Sequence, residues 1–377
     1  MKNLLGNYSE MVEKLALSLQ YPYSYLSDEW DDITIWQGIV KGKLMELASY
    51  NPPATPLNPK IIKTFEHDGV HMELISWDQP YGPPTEAYFL KPLDCGTKKL
   101  PAVLALHDHG GFKYFGKEKI TALPSEHEIL HDFKKQYYEG VSWTTRLAKR
   151  GYAVLVHDTF IFGSRKMITD KIPEKYKKVL EGKEEGSSDY ITAYNTFGGE
   201  HDTFVAKSLF IAGATVLGVM LYEDMRALDY LFTRQDINRD RVGCGGLSVG
   251  GLRTIFLTAM ENRLKCSVGT GFMSTFTDQV EFNMESRSWM TQLPHLSRLM
   301  DLPDVITLSG GNPLMVQFCE NDNLFTIKGM KESSEKIEKI FRKMKKPDNY
   351  SGRFYPVEHM FNLKMQEDAF AWYDRWI

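Results

Sequence analysis

Gly246-Leu247-Ser248-Val249-Gly250 sets a serine between two glycines in a five-residue G-x-S-x-G pattern. A serine hydroxyl is a weak nucleophile until a neighbouring base takes its proton and a donor waits for the oxyanion. The flanking residues supply a fitting context. The apolar run VGCGG precedes the serine, and Leu252, Ile255, Phe256 and Met260 follow at helical spacing. Strand, tight turn and helix form the setting in which a serine is lifted above a sheet on a strained turn. Gly246 and Gly250 let strand and helix approach closely, and the turn aims the Val249 N–H at the site where negative charge develops.

The chain order serine, acid, histidine then directs attention downstream. The run NPLMVQFCENDNLFT reads as a buried strand at 314–319 entering a polar loop, with Glu320 and Asp322 as candidate acids. Asp322 is preferred, because a few loop residues let its carboxylate turn back. Beyond the last expected strand stands His359, in GRFYPVEHMFN. His295 also follows the serine but precedes the acid, out of order. His359 is expected to take the serine proton, with Asp322 holding the imidazole tautomer.

Upstream, the strand PAVLAL runs into His107-Asp108-His109-Gly110-Gly111-Phe112. A histidine–glycine turn after an early strand suits a second oxyanion donor; Gly111 is preferred, with Phe112 next. His107 and His109 also form an H-x-H pair, but no further ligand cluster accompanies them, so no metal and no cofactor is expected.

These residues need a scaffold. ITIWQGIVKGKLMELA reads as a helix capped by Asp31 or Asp32, with Trp36, Ile39, Val40, Leu44 and Leu47 on one face. The four prolines of 51–59 end that texture, which divides a helical extension (1–60) from a main body (61–377). HMELISW and TEAYFLKP read as a hairpin, and PAVLALH and YAVLVHD as strands buried on both faces with a helix between them. Such alternation implies an α/β fold with a mostly parallel sheet. The polar stretch 166–202 interrupts it, as a lid or as a solvated excursion, and one long helix is expected over 203–233.

The 377 residues are 42% hydrophobic and 25% charged with a net charge of -4, an ordinary globular balance. That charge gives no field for nucleic acid or anionic membrane. No run approaches the ~20 apolar residues of a membrane span. The N-terminus lacks the pattern of a signal peptide, so a cytoplasmic location is expected. Cys95, Cys244, Cys266 and Cys319 are far apart and read as free thiols.

LHDHGGFKYFGKEKI, GYAVLVHDTFIFGSR, DRVGCGGLSVGGLRT, PLMVQFCENDNLFTIKGM and EHMFNLKMQEDAFAWYDRW together resemble the α/β-hydrolases of the dienelactone hydrolase-like and acetyl xylan esterase-like branch. The resemblance runs from about residue 30 to the end. It implies a Ser248–Asp322–His359 triad with oxyanion donors at Gly111 and Val249, and it places Asp158, Gly163 and Arg165 at the rim of the site. Phe112, Asp158 and Arg165 become candidates for substrate contact. Serine where dienelactone hydrolases carry cysteine argues against dienelactone as substrate, SGGNPL departs from the branch pattern, and 166–202 matches nothing in it. The expected activity is hydrolysis of small-molecule carboxylic esters, short acyl or acetyl groups on sugars included. A prolyl-oligopeptidase-like peptidase and a non-catalytic binding protein on the same fold stand as alternatives, and a homo-oligomer is left open.

Overall fold

The computed structural model describes residues 4–280 and 282–377. Nine strands form one sheet in the order β1-β2-β3-β5-β4-β6-β7-β8-β9. β1 (Lys60–His67), β2 (Val70–Trp77) and β3 (Thr85–Pro92) make an antiparallel flank, and β3 meets β5 (Ala153–His157) antiparallel. From β5 onward all pairs are parallel, through β4 (Leu100–Leu106), β6 (Ile237–Leu247), β7 (Cys266–Thr270), β8 (Leu314–Cys319) and β9 (Tyr350–Tyr355). The inner parallel strands β4, β5, β7 and β8 are buried almost throughout, as strands covered on both faces must be, which explains their apolar runs.

Two helices open the chain, α1 (Ser9–Leu17) and α2 (Ile33–Ala48). Asp32 caps α2 by accepting from Thr34 and Ile35 N–H at 2.7 and 3.0 Å. Trp36, Val40 and Leu44 are buried in the same cluster as Trp77, Leu104 and Leu106 of the sheet, so the extension shares the core of the main body. Ile39, expected on that face, is 45% exposed. The core stripe of α2 is narrower than its composition implied.

α3 (Ile129–Tyr138) and α4 (Trp143–Lys149) separate β4 from β5. The stretch 166–202 holds short turns, the single-turn α5 (Glu174–Lys177) and the start of α6 (Ser188–Ile211). It packs through Leu180, Ala193, Tyr194 and Phe197. The long helix expected over 203–233 is two: α6 and α7 (Val216–Thr233), set at 87°. Gly213 at φ 76° ends the first, and Thr215 Oγ1 caps the second by accepting from Gly218 N–H at 2.9 Å. Apolar periodicity ran across both because each end is marked by a single small residue.

α8 (Val249–Met260) follows β6, α9 (Phe276–Gln279) and α10 (Leu302–Thr307) precede β8, α11 (Ile327–Lys343) joins β8 to β9, and α12 (Leu363–Trp376) closes the chain. No single helix among the described residues is long and apolar enough to cross a membrane. All four cysteines are free, three of them buried.

Candidate active site

Ser248 sits between β6 and α8 with φ 59° and ψ −123°, a conformation that costs a non-glycine residue of order 1–3 kcal/mol. The neighbours show how the strain is held. A Cβ at Gly246 or Gly250 would overlap the Leu106 carbonyl oxygen, and one at Gly251 would overlap the Thr270 carbonyl oxygen. β4, β6, β7 and α8 therefore close around the turn at a spacing only glycine allows. Ser248 N–H donates to Thr270 O at 2.9 Å, fixing the turn from the other side. The Val249 N–H, first in α8, has no partner within the helix and adds to the positive end of its dipole.

Asp322 lies beyond the end of β8, with its side chain fully buried. Its Oδ1 accepts from Leu324 N–H at 2.7 Å and its Oδ2 lies 2.6 Å from His359 Nδ1. Asp322, and not Glu320, meets the histidine: Glu320 is held through its backbone N–H at Tyr355 O. His295 stands at the head of a short turn and is exposed. With Nδ1 committed to the carboxylate, His359 Nε2 is buried and has no hydrogen-bond partner. His359, Ser248, Val249, His109, Gly110 and Gly111 line one cavity of about 250 Å3.

The 108–112 loop is built around a buried cation. Lys119 Nζ, wholly inaccessible, donates to Asp108 O, to His109 O at 3.2 Å and to Phe112 O at 3.3 Å. Three carbonyls thus converge on one ammonium, while Gly110 and Gly111, at φ 53° and 70°, face the serine's cavity. Tyr138 Oη donates to Asp108 Oδ1 and braces the same turn. The expected assignment of Gly111 and Phe112 needs correcting here. Gly111 N–H donates to His109 Nδ1 at 2.9 Å, and Phe112 N–H to His109 O at 2.9 Å. Of the two glycines, Gly110 is the one whose N–H donates to no acceptor among the described residues. Burial and the cations Lys113 and Lys119 hold His109 neutral. Because Nδ1 accepts, the ring proton resides on Nε2, facing Asp202 Oδ2 at 3.6 Å.

No protein-family model matches the chain. It is 21% identical over 342 residues to a protein of Bacillus subtilis (strain 168) named "Putative hydrolase YtaP", covering 89% of this chain and 98% of that one. Among solved structures it superposes on a putative acetyl xylan esterase from Bacteroides fragilis NCTC 9343 with a TM-score of 0.68 at 18% identity, over 93% of this chain and 83% of that one. A glucuronoyl esterase from Solibacter usitatus gives 0.59 at 14% identity, over 95% and 99%. The chain has the α/β-hydrolase fold.

Within this fold, the residues expected at the rim lie elsewhere. Asp158 is fully buried and accepts from Lys117 N–H at 2.7 Å, Lys117 Nζ at 2.8 Å and Ser164 N–H at 2.8 Å. Arg165 pairs with buried Glu223 at 2.6 Å and donates to the Pro83 and Tyr81 carbonyls. Neither lines the cavity. Both tie the loop after β5 to its surroundings. Phe112 is also absent from the lining; it stacks on Phe115 and packs at a tilt against Phe133 instead. Gly163 does belong to this structure, since a Cβ there would strike the Asp158 carboxylate.

Three cations escaped the sequence reading. Lys119 sits in KEKI, a stretch that looks like solvated surface. Arg253, on the apolar side of α8, is fully buried; it pairs with Asp224, which also takes His157 Nε2 at 2.9 Å, and it donates to His107 O at 3.1 Å. A charge on an apolar helix face was the available signal. Arg287 lines the cavity and donates to Gln279 Oε1 at 2.7 Å, its pKa lowered by burial to about 10.

Proposed function

We propose that this α/β-hydrolase cleaves carboxylic esters through an acyl-enzyme on Ser248. The observation that carries the reading is the 2.6 Å contact of Asp322 with His359 Nδ1, which leaves an unpartnered Nε2 in the cavity that holds the strained serine. Nε2 takes the Ser248 proton as Oγ attacks the ester carbonyl. Asp322 keeps the productive tautomer and stabilises the imidazolium. The Val249 and Gly110 N–H groups donate to the developing oxyanion, each donor lowering the barrier by about 3 kcal/mol. His359 then protonates the departing alkoxide, and a water activated by the same imidazole releases the acid and restores Ser248.

Relatives on this fold named as esterases support ester rather than amide substrates. A cavity of about 250 Å3 suits a short acyl group, such as acetyl carried on a sugar. The test is treatment of the folded protein with a fluorophosphonate, followed by mass-spectrometric mapping. Modification of Ser248 alone, and loss of p-nitrophenyl acetate turnover in Ser248→Ala, is the expected result. An unlabelled protein, or unchanged turnover in the variant, refutes the reading.

A further inference from the structure

A second, larger cavity of about 560 Å3 lies against the first. Phe272, Arg287 and Thr291 line both, so they form the partition between the two. Beyond it the lining is mostly apolar. Leu252 and Phe256 of α8 provide one wall, and Phe276 and Leu293 another. The N-terminal helix supplies the roof through Val12 and Ala16. The first cavity alone is below the usual range for ligand sites of about 300–1,000 Å3, whereas the second falls inside it.

We infer that the 560 Å3 cavity binds an apolar arm of the substrate, an alkyl or aryl group of about eight carbons joined to the ester held at Ser248. This rests on the ester-hydrolase reading and extends it past acetyl groups. The arm passes the partition, where the Arg287 guanidinium is already held by Gln279 Oε1 and the Leu324 carbonyl and stacks on Phe325, so an apolar group meets hydrocarbon and ring surface rather than a free charge. The N-terminal extension thereby contributes directly to specificity. Each methylene moved from water into such a lining favours binding by about fourfold.

The experiment compares kcat/KM along two series, p-nitrophenyl acetate to octanoate and methyl acetate to octyl acetate, in the wild type and in Val12→Trp and Ala16→Trp. Both variants fill the cavity from its roof, away from Ser248 and His359; two are used so that one failure to fold is not decisive. The expected result is at least a tenfold gain with length along one series. In the variants that gain collapses to within about twofold while acetate turnover is kept. Flat profiles in both series, or a gain that both tryptophans leave intact, overturn the inference while the hydrolase reading stands. If no ester of any length is cleaved, the hydrolase reading falls, and octanoate binding measured by calorimetry decides the site: binding lost in Ala16→Trp upholds it, and no binding in the wild type overturns it.

Discussion

Replacing Lys119 by methionine tests whether the oxyanion loop is set from behind. The hydrocarbon stem is kept and the ammonium is removed. Its three carbonyl partners, Asp108, His109 and Phe112, then lose hydrogen bonds from a charged donor, each worth about 1.5–3 kcal/mol. Part of that is offset. Burial lowers the Lys119 pKa from 10.5 to about 8, and relief of that penalty returns about 3 kcal/mol. A net stability loss of about 1.5–6 kcal/mol follows, and the variant is assayed under conditions in which it is shown to be folded. The freed carbonyls let the 108–112 loop rotate, which removes one oxyanion donor and lowers kcat by about 10²–10³ with little change in KM. The pH dependence separates this from a general loss of structure. In the wild type the ammonium is lost as pH rises through about 8, so kcat falls there. Stability moves the other way. Between about 8 and 10.5 the unfolded chain binds the proton that the folded chain has released, so this group's contribution to stability rises with pH. The assay is kcat and KM on p-nitrophenyl acetate against pH, with urea denaturation of the same samples. A folded Lys119→Met protein whose kcat stays within about threefold of wild type would refute the reasoning.

Gly250→Ala places a methyl on the Leu106 carbonyl oxygen, so stability is expected to fall by about 1–3 kcal/mol and Ser248 labelling by fluorophosphonate to slow, both read on one purified sample. Arg253→Met leaves Asp224 buried beside His157 without its cation; a loss of about 3–5 kcal/mol in urea denaturation is expected, and a loss below 1 kcal/mol counts against the network. Arg165→Met strands Glu223 in the same way. It is expected to lower the melting temperature while leaving KM for short esters unchanged, and a raised KM at unchanged stability would return Arg165 to the substrate.

The sequence carried the parts of this fold that rest on local rules. Asp32 at the head of α2, the hairpin of β2 and β3, and the strand–turn–helix around Ser248 each followed from capping, alternation or turn chemistry, and each is present. β1 went unread because its residues are largely exposed and show no alternation. The break at Gly213 was hidden by apolar periodicity continuing on both sides. At the site, chain order was enough to bring Asp322 and His359 to one another's notice. It could not reveal which N–H of the glycine turn is free, since that depends on where the His109 ring points and on a lysine ten residues away. Asp158 and Arg165 were misplaced for a related reason. Charged side chains near a site look like substrate contacts until their buried partners, Lys117 and Glu223, are seen.

The assembly of the site also has a consequence for the life of the chain. Its parts come from the ends of β4, β6 and β8 and from the turn after β9, residues as far apart as Gly110 and His359. After His359 comes α12, whose Tyr373 hydroxyl reaches under the serine's strand to donate to Cys244 O at 3.0 Å. A growing polypeptide therefore carries its nucleophile long before it carries the base that would activate it. The proposed chemistry stays silent until β9 and α12 have been made and docked, so that reactivity waits on the parallel half of the sheet.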